Sequence, residues 1–137
     1  MQKEKIILGI DPGTNIMGFG VIKIIDSKIT LLNSGVLNMK KEKDLGVRLK
    51  LIFEEMIQLI DTYLPDELAI EAQFFGQNVQ SMLKLGKAQG VAIAAALSRS
   101  IPFEEYAPKK IKMSITGKGT PSKEQVAAML IHILKVK

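Results

Sequence analysis

Two acids stand at the ends of short apolar runs. Asp11 closes Ile6-Ile7-Leu8-Gly9-Ile10, and Glu71 closes Leu68-Ala69-Ile70. A carboxylate ending a buried strand is costly unless a metal, a partner or water meets it. If the two runs lie side by side and parallel, both acids reach the same sheet edge. Their oxygens then supply half of a site for a hard divalent cation, Mg²⁺ or Mn²⁺ rather than Zn²⁺. Metals held by paired carboxylates polarise a phosphodiester, generate hydroxide and stabilise the leaving oxygen. Strand-end acids are often no more than soluble punctuation. Against that reading stands the turn Pro12-Gly13-Thr14-Asn15, which keeps the edge beside Asp11 open to another backbone or a ligand.

The second chemical feature is basic. Between Tyr106 and Lys123 the chain carries Lys109, Lys110, Lys112, Lys118 and Lys123 and no acid. Such a run is either a solvated surface or a face that contacts phosphates, and the net charge of +5 is compatible with a polyanionic partner without requiring one. Cysteine is absent, which excludes disulfides, thiolate metal sites and cysteine nucleophiles. The single histidine, His132, lies beside an apolar stripe and reads as a packing residue before a ligand. No apolar run approaches the roughly 18 residues needed to span a bilayer, and no signal peptide is visible, so a cytoplasmic location is expected.

The elements that must position these residues follow from periodicity. Ile6–Asp11, Met17–Ile25 and Lys28–Asn38 alternate or run apolar between turn signals and read as three consecutive antiparallel strands. Gly35 within the third implies a bulge or bend. Lys40-Lys41-Glu42-Lys43 is a charged connection. From Asp44, a candidate N-cap, apolar residues recur at helical spacing as far as Tyr63, and Pro65 stops the helix. Glu67–Glu71 is a fourth strand, and the helical crossover before it makes it parallel to the first. Asn78 caps a second helix from Val79 to Leu97, with a stripe of Met82, Gly86, Gly90, Ile93 and Leu97. The glycines four apart imply a close approach, to the sheet or to a second subunit. Pro102–Tyr106 is a fifth strand, followed by a short helix from Lys109 and a last helix from Thr120. One α/β domain results: a mixed five-stranded sheet flanked by helices, the order of a ribonuclease H-like fold.

Ile-Leu-Gly-Ile-Asp-Pro-Gly-Thr at 7–14, Ala-Ile-Glu at 69–71, Leu-Lys-Leu-Gly-Lys-Ala-Gln-Gly-Val-Ala at 83–92 and Glu-Tyr-Ala-Pro-Lys-Lys-Ile-Lys at 105–112 closely resemble RuvC-type Holliday-junction resolvases, as does Gly117 through Val126. The resemblance covers nearly the whole chain in order. It implies a ribonuclease H-like homodimer that binds four-way junction DNA and nicks two strands of like polarity using Mg²⁺, in recombination and repair, alongside branch-migration motor proteins. Residue by residue, it implies that Asp11 and Glu71 are catalytic metal ligands and that Phe74 is an aromatic near the opened centre of the junction. There it would stack on a base without sequence demand, while Phe75 turns inward. Lys112 and Lys123 match basic residues near the cleavage site, and Lys109, Lys110 and Lys118 fit general phosphate contacts.

The resemblance also implies two further acids on a helix beyond Lys137. The expectation is therefore a single nuclease domain over 1–137 whose C-terminal part lies outside this sequence; Glu124 does not match the missing motif. Two other readings compete. A junction-binding module that does not cut needs only the lysines and Phe74. A nucleotide-binding ATPase of the actin and Hsp70 type also begins with Gly-Ile-Asp and a glycine turn, but the chain is too short for two lobes and has no second phosphate loop.

Overall fold

The computed structural model describes residues 4–26, 28–72 and 78–106. Strands β1 (Glu4–Asp11), β2 (Ile16–Ile25) and β3 (Lys28–Asn38) form an antiparallel meander, and helix α1 (Leu45–Tyr63) crosses to β4 (Glu67–Glu71). Helix α2 (Val79–Ser98) then leads to β5 (Phe103–Tyr106). The sheet order is β3-β2-β1-β4-β5, with β4 parallel to β1 and β5 parallel to β4. The mixed five-stranded sheet and the parallel fourth strand are thus as expected. The helices expected after Lys109 lie outside the described residues.

Local signals account for most boundaries. Asp44 caps α1 by accepting from the Val47 N–H at 2.9 Å. The helix ends on Leu64, whose φ of 50° closes the chain in the left-handed region immediately before Pro65. Asn78 caps α2 through the Ser81 N–H at 3.2 Å. In the β1–β2 turn, a methyl group on Gly13 would run into the carbonyl oxygen of Ile16, a backbone atom that cannot step aside cheaply. The turn therefore requires glycine.

Two expectations are corrected. Gly35 marks no bulge. It pairs with Phe19 across β2 and β3, and a side-chain carbon there would sit 2.9 Å from the tip of the Phe19 ring, so the glycine makes room for the aromatic. The bulge lies at Leu32, where Val21 pairs with Asn33 but Ile22 pairs with Leu31. The second correction concerns α2, where the sheet is not what Gly90 approaches. Its buried face is Ala88, Gln89, Ala92, Ala95 and Ala96, while Gly90 has nothing within 4 Å of where a side chain would start. The alanines allow close packing, and the larger stripe residues turn outward or to the margins.

The main core lies between one face of the sheet and the two helices. Leu8 and Ile10 of β1, Met17, Phe19 and Val21 of β2, and Leu68 and Ile70 of β4 meet Ile52, Met56, Leu59 and Ile60 of α1 and the α2 alanines. Arg99, at the end of α2, clasps Asp61 of α1 with two hydrogen bonds of 2.9 and 3.2 Å.

Candidate metal centre

Side chains alternate along a strand, so the burial of Leu8, Ile10, Leu68 and Ile70 against the helices sends Asp11 and Glu71 to the other face of the sheet. The parallel register runs Ile7 with Glu67, Leu8 with Leu68, Gly9 with Ala69 and Ile10 with Ile70. One residue further, Asp11 stands beside Glu71. Adjacent strands are about 5 Å apart, and both acids are half-buried at the same edge.

Asp66 helps to fix that register. Its backbone N–H donates to the Ile6 carbonyl at 2.8 Å, and its Oδ2 accepts from the Ile6 N–H at 2.8 Å. The aspartate grips one residue of β1 from both sides as β4 begins. At the other end of β4, the Ala72 N–H donates to the Tyr106 carbonyl at 2.9 Å, and the Gln89 side-chain amide of α2 donates to the Glu71 carbonyl at 3.1 Å. The strand end carrying Glu71 is thus held by β5 and by a buried side chain of α2. Sequence reading singled out neither Asp66 nor Gln89. Gln89 carries a usable signal: an amide among alanines at helical spacing, Ala88, Ala92, Ala95 and Ala96, needs a buried partner.

The neighbours of Asp11 on its own face are small: Asp11 pairs with Gly18, and Gly9 pairs with Gly20 on one side and Ala69 on the other. Glu71 pairs on its far side with the buried Tyr106 of β5.

The turn after Asp11 is pinned from the opposite flank. Arg48 of α1 donates from Nη1 to Asn15 Oδ1 at 2.6 Å and from Nε to the Glu42 carbonyl at 2.5 Å, and the Met39 N–H donates to the Asn15 carbonyl at 2.8 Å. Arg48 is a third residue that sequence reading passed over.

The donor set can be tested against a metal. Two carboxylates held at roughly the strand spacing of 5 Å would repel by about 3 kcal/mol at an effective dielectric near 20, and a divalent cation between them would convert that repulsion to attraction. Oxygen-only ligands fit a hard cation. Among the described residues no group of three or more potential ligands forms, so these two acids make a partial site. Phe74, Lys109, Lys110, Lys112, Lys118 and Lys123, with Phe75, Glu124 and His132, lie outside the described residues.

Comparison with known proteins decides the family. The family model for crossover junction endodeoxyribonuclease RuvC matches residues 7–137. The chain belongs to the RuvC family. A RuvC of Christiangramia forsetii is 65% identical over 136 residues, covering 99% of this chain and 71% of that protein. A RuvC of Bacteroides fragilis is 60% identical over 132 residues, covering 96% and 70%. The chain thus spans about 70% of the length of these RuvC relatives. Thermus thermophilus RuvC matches with a TM-score of 0.74 at 29% identity, covering 95% of this chain and 80% of that one. The same protein in complex with a Holliday junction substrate superposes with a TM-score of 0.77 at 23% identity, a likeness of fold, covering 95% and 90%. The sheet described above is therefore a RuvC sheet of the ribonuclease H-like kind.

Proposed function

We propose that the chain is a structure-selective endonuclease that binds four-way DNA junctions and nicks two strands of like polarity by Mg²⁺-dependent phosphodiester hydrolysis, in the cytoplasm, in recombination and repair. The observation that carries the reading is the meeting of Asp11 and Glu71 at one edge of two parallel strands, in a chain of the RuvC family. Asp11 and Glu71 would hold the cation, with Mn²⁺ able to replace Mg²⁺ on the same oxygen donors. When bound, the metal supplies Lewis-acid polarisation of the phosphodiester and an activated water. The chain's own contribution is placement. The β1–β4 register sets the separation of the acids, and glycines keep bulk away from Asp11 on the β2 side. Lys112 and Lys123 would neutralise phosphate charge at the cleavage site, Lys109, Lys110 and Lys118 would contact the backbone, and Phe74 would stack on a base at the opened centre.

The test is nicking of a mobile four-way junction in Mg²⁺. Asp11→Asn keeps the size of the side chain and removes its charge. It is expected to bind the junction as wild type does and to nick it at least 100-fold more slowly. An Asp11→Asn chain that cuts as fast as wild type would remove Asp11 from the site. A second reading, junction binding without cleavage, is favoured by the two-acid set among the described residues. Binding by wild type that prefers a junction to linear duplex, with no nicking in Mg²⁺ or Mn²⁺, would select it.

A homodimer through α2 completes the proposal. Val79, Leu83 and Leu97 are 66%, 61% and 54% exposed, and with Gly86 and Gly90 they line one side of α2 at intervals of four, three, four and seven residues. The glycines on that stripe permit close helix approach, which suits a second copy of the same helix. Leu83→Glu is expected to convert a dimer to a monomer in light scattering. A wild-type chain that is monomeric at high concentration would refute this part.

A further inference from the structure

The charged connection Lys40-Lys41-Glu42-Lys43 lies at the same sheet edge as Asp11. β2 begins at Ile16, directly after the turn that follows Asp11, and Ile16 pairs with Asn38, the last residue of β3. The connection is pinned along its length. Asn38 Oδ1 accepts from the Lys40 N–H at 3.0 Å, and the Glu42 N–H donates to the Met39 carbonyl at 3.0 Å. Met39 is only 1% exposed and plugs the core. Arg48 then holds the Glu42 carbonyl and the Asn15 side chain together, and Asp44 turns its carboxylate to the α1 N-terminus. The backbone is anchored to the Asp11 turn, and Lys40, Lys41 and Lys43 remain exposed with no ion pair among the described residues. Lys5, Lys23 and Lys50, by contrast, each lie within 4.0 Å of a carboxylate.

We infer that the Lys40–Lys43 connection is a phosphate-contacting rail for the DNA arm that carries the scissile strand, held at fixed distance from Asp11 by Arg48 and Met39. The inference rests on the endonuclease reading and extends its DNA surface to an element outside the Lys109–Lys123 cluster. β3 lies two strands from β1 in the sheet, a lateral distance of about 10 Å. Phosphates advance about 3.4 Å along the axis per nucleotide of one strand. The rail therefore reaches phosphates roughly three nucleotides from the one at Asp11. Glu42, half-buried within the connection, opposes part of the charge, and Lys40 and Lys41 beside it are the pair to remove.

The experiment compares two charge-matched double variants of the chain, read by fluorescence anisotropy on a four-way junction across a salt series. Lys40→Gln with Lys41→Gln removes two charges at the Asp11 edge. Lys23→Gln with Lys28→Gln removes two at the opposite edge, around the β2–β3 turn. Each lost phosphate contact lowers the slope of log affinity against log salt by about 0.9. The first variant is expected to lose about 1.8 from the slope and to bind roughly tenfold more weakly near physiological salt. The second is expected to keep the wild-type slope. Wild-type binding with both variants alike would overturn this inference and leave the endonuclease reading standing. A wild-type chain with no affinity for junction DNA would overturn both.

Discussion

Gln89 offers the sharpest separation between folding and chemistry. It is one of two buried polar or charged residues among the described residues, 8% exposed, and its amide donates to the carbonyl of Glu71 at 3.1 Å. Gln89→Met keeps the length and approximate volume of the side chain and removes the donor. Leaving that carbonyl without its α2 partner costs about 1–3 kcal/mol, and the added apolar burial returns roughly 0.8 kcal/mol. The net loss of stability is then between about 0.2 and 2 kcal/mol. The effect on chemistry is larger, because the released strand end carries the Glu71 carboxylate, and a displacement near 1 Å at a reacting centre can cost on the order of 100-fold in rate. On the proposed function Gln89 would act through Glu71, as a positioning residue. Three measurements on one preparation test this: urea unfolding, junction affinity, and single-turnover nicking as Mg²⁺ is raised. The expected pattern is a modest stability loss, unchanged affinity, and nicking slowed 10- to 100-fold with its Mg²⁺ midpoint moved upward. Nicking within twofold of wild type would show that Glu71 does not depend on this hydrogen bond. A parallel fall in affinity and nicking would place Gln89 in binding or global folding instead.

Two further outcomes follow from the packing. Met56 is fully buried among residues of both helices and the sheet, so Met56→Ala is expected to lower unfolding free energy in urea by about 2–5 kcal/mol. A loss under 1 kcal/mol would mean that the core collapses around the gap. The hydrogen bond from Arg99, reinforced by its charge, holds the Asp61 carboxyl below its ordinary value of 3.8. A lowered folded-state value contributes stability that is present above about pH 4 and lost as the pH falls through the folded value. Because both partners are exposed the effect is small. The urea midpoints of wild type and Asp61→Asn are expected to differ slightly at pH 6 and to draw together as the pH falls below 4. A gap that widens on acidification would contradict the sign.

Much of the fold is legible because its signals are local. Asp44 and Asn78 act as caps within three residues of themselves, and Leu64-Pro65 ends α1 beside its own last turn. Periodicity separated the strands from α1 for the same reason. The illegible parts depend on distant partners. Gly35 has the composition of a bulge, and only its pairing with Phe19 reveals a space-making role. In α2 the large apolar residues drew attention as a packing stripe. A helix lying close on its neighbours buries alanines, and its larger side chains are left at the margins or outside. The two acids were legible as a pair from strand order. The residues that hold them, Asp66 gripping Ile6 sixty positions away and Arg48 reaching Asn15 across thirty-three, were not.

That division bears on how the candidate site tolerates change. Asp11 and Glu71 share a face only in the observed β1–β4 register. A one-residue slip of β4 that carried Glu71 into the position of Ile70, which is 0% exposed, would move Ile70 into the position of Ala69 on the opposite face and leave Ala72 beside Asp11. Burying a carboxylate in that core costs several kcal/mol, and the isoleucine would crowd a position that holds Ala69 at 0% exposure. The cost is a large fraction of the stability of a domain this size. The alternation of Leu68 and Ile70 with Glu67, Ala69 and Glu71 thus enforces the placement of the two acids through the core itself. Asp66 adds a clamp at the far end of the same strand. Substitutions that loosen the core beneath β4 should therefore disturb the acids before they unfold the chain, whereas changes on the exposed side of α1 should leave them in place.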